Sequence, residues 1–179
     1  MGYAIAEAAA AAGHHVTLVS GPVTLTPPRG VKTISVVMAA EMAAATKRAF
    51  AGADAAILVA AVCDYRPRQR AAKKLAKTGR AKSVVLVPTE DIAAALGRIK
   101  GDRVTIGFAM EDHAARRHAE QKLIRKNCDA IILNGPASVG SDTARVEFMA
   151  RGGDWRRWPA GSKARIAGKL IRELERLVM

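Results

Sequence analysis

The chain has 179 residues, half of them hydrophobic, with 29 Lys and Arg against 16 Asp and Glu, for a formal charge of +13. This length supports one ordinary domain, and with aromatics at 4% its core must be Ala, Val, Ile and Leu. No apolar run is long enough to span a membrane. The start lacks a signal core, Ala6 breaks a myristoylation pattern, and two cysteines, Cys63 and Cys128, exclude a disulfide framework.

In chain order, Ala-rich "GYAIAEAAAAAG" reads as a helix ended by Gly13, followed by the strand "HHVTLVS". The Gly- and Pro-punctuated "GPVTLTPPRG" is a loop, and "VKTISVV" a strand. Met42, Ala45, Ala49 and Phe50 recur at helical spacing. "ADAAILVAAV" is expected to be the most deeply buried strand. It runs into "CDYRPRQRAAKKLAKTG", a crowded basic segment. "KSVVLVP" is a strand, "TEDIAAALGRI" a helix, "RVTIGFAM" a strand, "HAARRHAEQKLIRKN" a helix and "CDAIILN" a strand. "ARVEFMA" and "DWRRWP" flank Gly152 and Gly153 as a hairpin. A last helix from about Ser162 gathers Ile166, Leu170, Ile171, Leu174 and Leu177 on one face.

This alternation points to an α/β fold, a Rossmann-like three-layer sandwich. It would have a mostly parallel sheet, helices on both faces and a C-terminal hairpin. Ligands of such sheets bind beyond the carboxyl ends of the strands, which explains why Asp64, Tyr65 and Arg66 are polar. A doubly wound domain normally opens with a strand and a glycine-rich turn, whereas this chain opens with the helix and has no GxGxxG or Walker loop. Residues 1–179 are therefore expected to be a single domain that is incomplete at its N-terminus.

Several groups could carry chemistry, each with a plainer alternative. The cations from Arg66 to Lys77 fit either a phosphate-closing lid or a basic loop. Lys122 and Lys126, four apart on a helix, could grip a polyphosphate or form a solvated face. Thr89 would cap a helix, with Glu90 and Asp91 complementing its dipole, or exposed amides there could meet a ligand. Glu111 and Asp112 end a strand at the same rim, where they could hold a metal-bound phosphate or simply terminate the strand. The four histidines show no metal-ligand pattern and are expected to be structural.

Taken together, "MGYAIAEAAAAAGHHVTLVSGPV", "AAVCDYRP", "KKLAK", "TEDI", "IGFAMED", "QKLIRKNCDAIILN" and "SKARIAGKLI" resemble the phosphopantothenate–cysteine ligase family over nearly the whole chain. In bacteria that domain is usually the C-terminal half of a protein whose other half is a flavin-dependent decarboxylase, so FMN is implied only if such a half lies upstream. The resemblance implies CTP-driven ligation in coenzyme A biosynthesis. A 4′-phosphopantothenate carboxylate forms an acyl-cytidylate, and the cysteine amine then displaces CMP. It also implies Mg2+, with ligands unknown, a homodimer and a cytoplasmic location.

By position, the resemblance makes Lys74 the catalytic lysine. It assigns nucleotide contact to Asp64, Thr89, Glu90, Asp91, Ile92, Phe108, Lys122 and Lys126. Ala60 and Ala61 fall where the backbone approaches the intermediate. The sequence departs from the family pattern at Cys63, at Glu90 and in "NGPAS", and the asparagine of the family's first loop has no counterpart. The chain alone is accordingly expected to be impaired.

Two alternatives remain. A nucleotide-dependent reductase of the same fold would need an acid at the end of the second strand, which instead ends "VSGPV". A basic nucleic-acid-binding module is suggested by the charge, but the scarcity of aromatics in the basic clusters argues against it.

Overall fold

A computed structural model describes residues 1–71, 73–135 and 140–179. Pro136, Ala137 and Ser138 of "NGPAS" lie outside the described residues.

Helix α1 (Gly2–Ala11) is terminated where Gly13 adopts φ +92°. Strands β1 (Thr17–Ser20) and β2 (Lys32–Ser35) then pair in parallel, Val19 opposite Ile34. Helix α2 (Ala39–Phe50) begins where the Glu41 carboxylate accepts the Val37 and Met38 amides at 2.8 and 3.0 Å, satisfying donors a helix start leaves free. Strand β3 (Ala55–Leu58) follows, and a short ribbon of β4 (Tyr65–Pro67) and β5 (Leu86–Pro88) precedes helix α3 (Ile92–Ile99). Next come β6 (Val104–Met110), α4 (Ala115–Arg125) and β7 (Ala130–Asn134). Beyond these lie β8 (Thr143–Ala144), β9 (Val146–Ala150), β10 (Arg156–Arg157), β11 (Gly161–Ser162) and α5 (Lys163–Val178).

The central sheet has the order β10-β9-β7-β6-β3. Strands β3, β6 and β7 are parallel, with Ile57 opposite Ile106 and Phe108 opposite Ile132. Strand β9 runs antiparallel, Phe148 opposite Ile132, and turns through Gly152 into β10 as the expected hairpin. On one face α1 and α5 pack Ile5, Ile166 and Leu170 against Ile106, Ile132 and Trp158. The other face is covered by α4 through Ala119 and Leu123, and by α2 and α3 through Phe50 and Leu96. These layers are the Rossmann-like sandwich the alternation implied. Burying Ile166, Leu170 and Ile171 supplies about 1.5–3 kcal/mol each, and the Ser162 hydroxyl caps α5 by accepting from Arg165 N at 3.2 Å.

Two elements differ from expectation. Strand β3 is the edge of the five-stranded sheet, and all four of its residues are only half-buried. Its outer edge faces a cleft, across which β1 and β2 form their own sheet. This cleft belongs to a cavity of about 2830 Å³ whose walls include Ile5, Ala9, Val19, Met42 and Ile57. "KSVVLVP" contributes only the three residues of β5, and they pair with β4 rather than joining the main sheet. Pro67 and Pro88 donate no amide within that ladder, and the Arg68 amide to the Val85 carbonyl (2.9 Å) and the Thr89 amide to the Asp64 carbonyl (2.8 Å) close its two ends. Val84, Val85 and Leu86 are consequently exposed.

Candidate functional site

The carboxyl ends of β3 and β6 and the start of α3 meet at one rim. Beyond β3 the chain passes through Ala60, Ala61 and Cys63 to Asp64, and Thr89 ties this turn to α3. The Thr89 amide donates to the Asp64 carbonyl at 2.8 Å, and its hydroxyl donates to the Cys63 carbonyl. Thr89 is therefore not the helix cap the sequence suggested. That cap is Asp91, whose carboxylate accepts the Ala94 amide at 3.1 Å. The four residues of "TEDI" divide the work. Thr89 anchors the turn, Glu90 meets Lys47 at 3.0 Å, Asp91 caps, and Ile92 buries itself against Phe50 and Leu96.

The two lysines come from α4 and its end. Lys122 contacts Glu111, just past β6, at 2.5 Å, and His118 Nδ1 lies 3.6 Å from the same carboxylate. Lys126, the C-cap of α4, lies 3.3 Å from Asp91. Asn127 follows in the left-handed region at φ 52°, and its amide nitrogen donates to the Gly97 carbonyl at 2.8 Å. The turn that carries Lys126 is thus pinned onto α3.

The electrostatics follow from these contacts. Burial alone would raise the Asp91 pKa, but the Ala94 amide and the Lys126 ammonium outweigh it and hold the carboxyl below its ordinary value. Burial pushes the Cys128 thiol upward, whereas Cys63 is exposed beside Asp64.

Ala60, Ala61, Asp64, Thr89, Glu90, Asp91, Ile92, Phe108, Lys122 and Lys126 all border the large cavity. Lys74 does not, and is exposed on the basic loop between β4 and β5. The cavity is several times larger than the roughly 300–1,000 Å³ of an ordinary ligand pocket, because it merges the strand-end site with the β1–β3 cleft. Lys47 and Asn134 also border or touch this rim, yet the sequence reading did not single them out. Lys47 looks like any cation in the last turn of a helix, and Asn134 is legible only as the end of a strand.

Magnesium finds no ready ligand set. Among the described residues no group of three or more His, Cys, Asp or Glu could hold a metal ion, and Glu90, Asp91 and Glu111 each face a lysine.

Residues 1–177 match the family described as the DNA/pantothenate metabolism flavoprotein C-terminal domain. The chain is 42% identical to a cysteine/cysteine sulfinic acid decarboxylase of an unknown prokaryotic organism, over 99% of this chain and 51% of that protein. It is 35% identical to the coenzyme A biosynthesis bifunctional protein CoaBC of Bacillus subtilis (strain 168), over 99% of this chain and 45% of that one. The chain spans about half the length of these curated relatives. The crystal structure of the C-terminal domain of a CoaBC superposes with a TM-score of 0.85 at 32% identity, covering 99% of this chain and 81% of that one.

Proposed function

The chain belongs to the DNA/pantothenate metabolism flavoprotein C-terminal domain family, and from that membership we propose that its 179 residues act as one phosphopantothenate–cysteine ligase domain in coenzyme A biosynthesis. One observation carries the proposal. The Asp64 turn is tied to the start of α3 through Thr89 at 2.8 Å, Lys126 lies 3.3 Å from Asp91 at that helix start, and Lys122 borders the same cavity.

In the proposed reaction, the carboxylate of 4′-phosphopantothenate attacks the α-phosphorus of CTP and pyrophosphate leaves. The neutral amine of cysteine then attacks the acyl carbon, CMP leaves with the P–O bond intact, and the amine proton passes to solvent or a nearby base. A free carboxylate resists amine attack, so the first step creates the leaving group the second requires. Lys122 and Lys126 bind the triphosphate chain, and Asp64, Phe108 and the Thr89–Ile92 segment position the nucleoside. Ala60 and Ala61 let the backbone approach the acyl group. Lys74 neutralises charge at the reacting phosphate when its loop folds over the site, an electrostatic role that grows as water is excluded. Magnesium enters with the nucleotide. A homodimer is proposed on family likeness.

The test is to incubate the protein with CTP, 4′-phosphopantothenate and cysteine and to quantify CMP, amide product and carbon dioxide. CMP and amide in equal amounts, both reduced at least tenfold by Lys74→Ala, are expected. CTP that neither binds nor turns over would overturn the reading. Carbon dioxide without CMP would point instead to the decarboxylase activity in one relative's name.

A further inference from the structure

Resting on the nucleotide-site reading, we infer that Glu111 is a placeholder anion. It occupies Lys122 while the site is empty and yields that lysine only to an anion able to displace it. Glu111 follows the last residue of β6, and its side chain is 15% exposed. It accepts from Lys122, which borders the cavity and is 34% exposed, and it has His118 as a second neighbour at 3.6 Å. The carboxylate therefore keeps an imidazole nitrogen 3.6 Å away when the ammonium leaves. Lys122 keeps the mobility of a long side chain rooted on α4.

Lys126 has the equivalent partner in Asp91, but that carboxylate also caps α3 and is bound to the Ala94 amide. It is a fixed neighbour. Glu111 holds no backbone donor among the described hydrogen bonds, which makes it the releasable member of the two. The two pairs lie one helical turn apart, because Lys122 and Lys126 are four residues apart. An anion long enough to span both lysines takes Lys122 from Glu111 and also meets Lys126, which keeps Asp91 beside it. A single phosphate group gains one ammonium only and lies close to an uncompensated acid. The arrangement favours a polyphosphate chain over a monophosphate, and so holds CTP while releasing CMP.

The test is calorimetric titration of the full chain with inorganic tripolyphosphate at one fixed salt concentration. It would compare the unmodified protein, Glu111→Gln, Lys122→Met and the double variant. Removing one such ion pair is expected to tighten tripolyphosphate binding roughly two- to fivefold in Glu111→Gln. In the Lys122→Met background the same change should give a clearly smaller gain, because only the relief of charge repulsion remains and no lysine is left to be released. Orthophosphate should gain proportionally more, so selectivity for the longer anion falls. If Glu111→Gln proves unstable, Glu111→Asp, whose shorter side chain draws back from Lys122, should show the same sign. Unchanged or weaker binding in the single variant would overturn the inference. An equal gain in both backgrounds would do so too, since it would reflect net charge alone, as would no tripolyphosphate binding by any variant. Tripolyphosphate carries no cytosine, so a parallel CTP titration fails separately if the ligase reading is wrong.

Discussion

The carbonyl oxygen of Lys126 lies 2.0 Å from the point a Cβ on Gly97 would occupy, closer than any real side chain tolerates. Helix α3 and the end of α4 touch backbone to backbone there, and the contact sets the distance between Lys126 and Asp91. Gly97→Ala must push the two apart. The expected cost is about 3 kcal/mol by urea denaturation. A loss of CTP affinity greater than that of a remote variant of equal stability should accompany it. A stable, fully binding Gly97→Ala protein would refute this account of the contact.

Asp91→Asn separates the cap from the charge, since Asn caps a helix about as well as Asp. The Asp91 carboxyl is held below its unfolded value. Its charge therefore contributes stability above the unfolded pKa of about 3.9, and this contribution is lost as pH falls through the lower folded pKa. The stability difference between the unmodified protein and Asp91→Asn should be constant near neutrality and shrink below about pH 4. Thermal melts from pH 7 to 3 read it directly.

Lys47 and Glu90 lie 3.0 Å apart, but both side chains are about 40% exposed. An ion pair in such surroundings is worth little. Lys47→Ala should change unfolding free energy by no more than ~0.5 kcal/mol. A larger loss would mean that the pair does more than bridge α2 to the start of α3.

The two cysteines should react very differently with iodoacetamide at pH 8. Cys63 is exposed, whereas Cys128 is buried and its pKa is raised, so little thiolate forms there. Mass spectrometry of the folded protein should show one adduct, on Cys63, and a second only after denaturation. Because the Cys63 carbonyl accepts from Thr89, the first adduct should also impair CTP binding.

Features that depend on one segment were legible in the sequence. The stripe of Ile166, Leu170 and Ile171 announced α5, and the glycines after Ala150 announced the hairpin. Apolar content marked β3 as a strand, but its burial depends on neighbours that come from elsewhere in the chain. Thr89 and Asp91 are both good caps. The choice between them was settled by the Cys63 carbonyl, which claims the threonine hydroxyl. Lys122 and Lys126 stood out by spacing. Their carboxylate partners did not, because β6 and α3 deliver them from separate elements.

Among the described residues β1 and β3 each have one edge that pairs with no strand, and both line the cavity, leaving rows of backbone donors and acceptors open to it. Such edges are templates for intermolecular pairing, so concentrated solutions should be prone to strand exchange and clumping unless something extended occupies the cleft. Amide protons on those edges should also trade with deuterium well before those of β6 and β7, which are laddered on both sides.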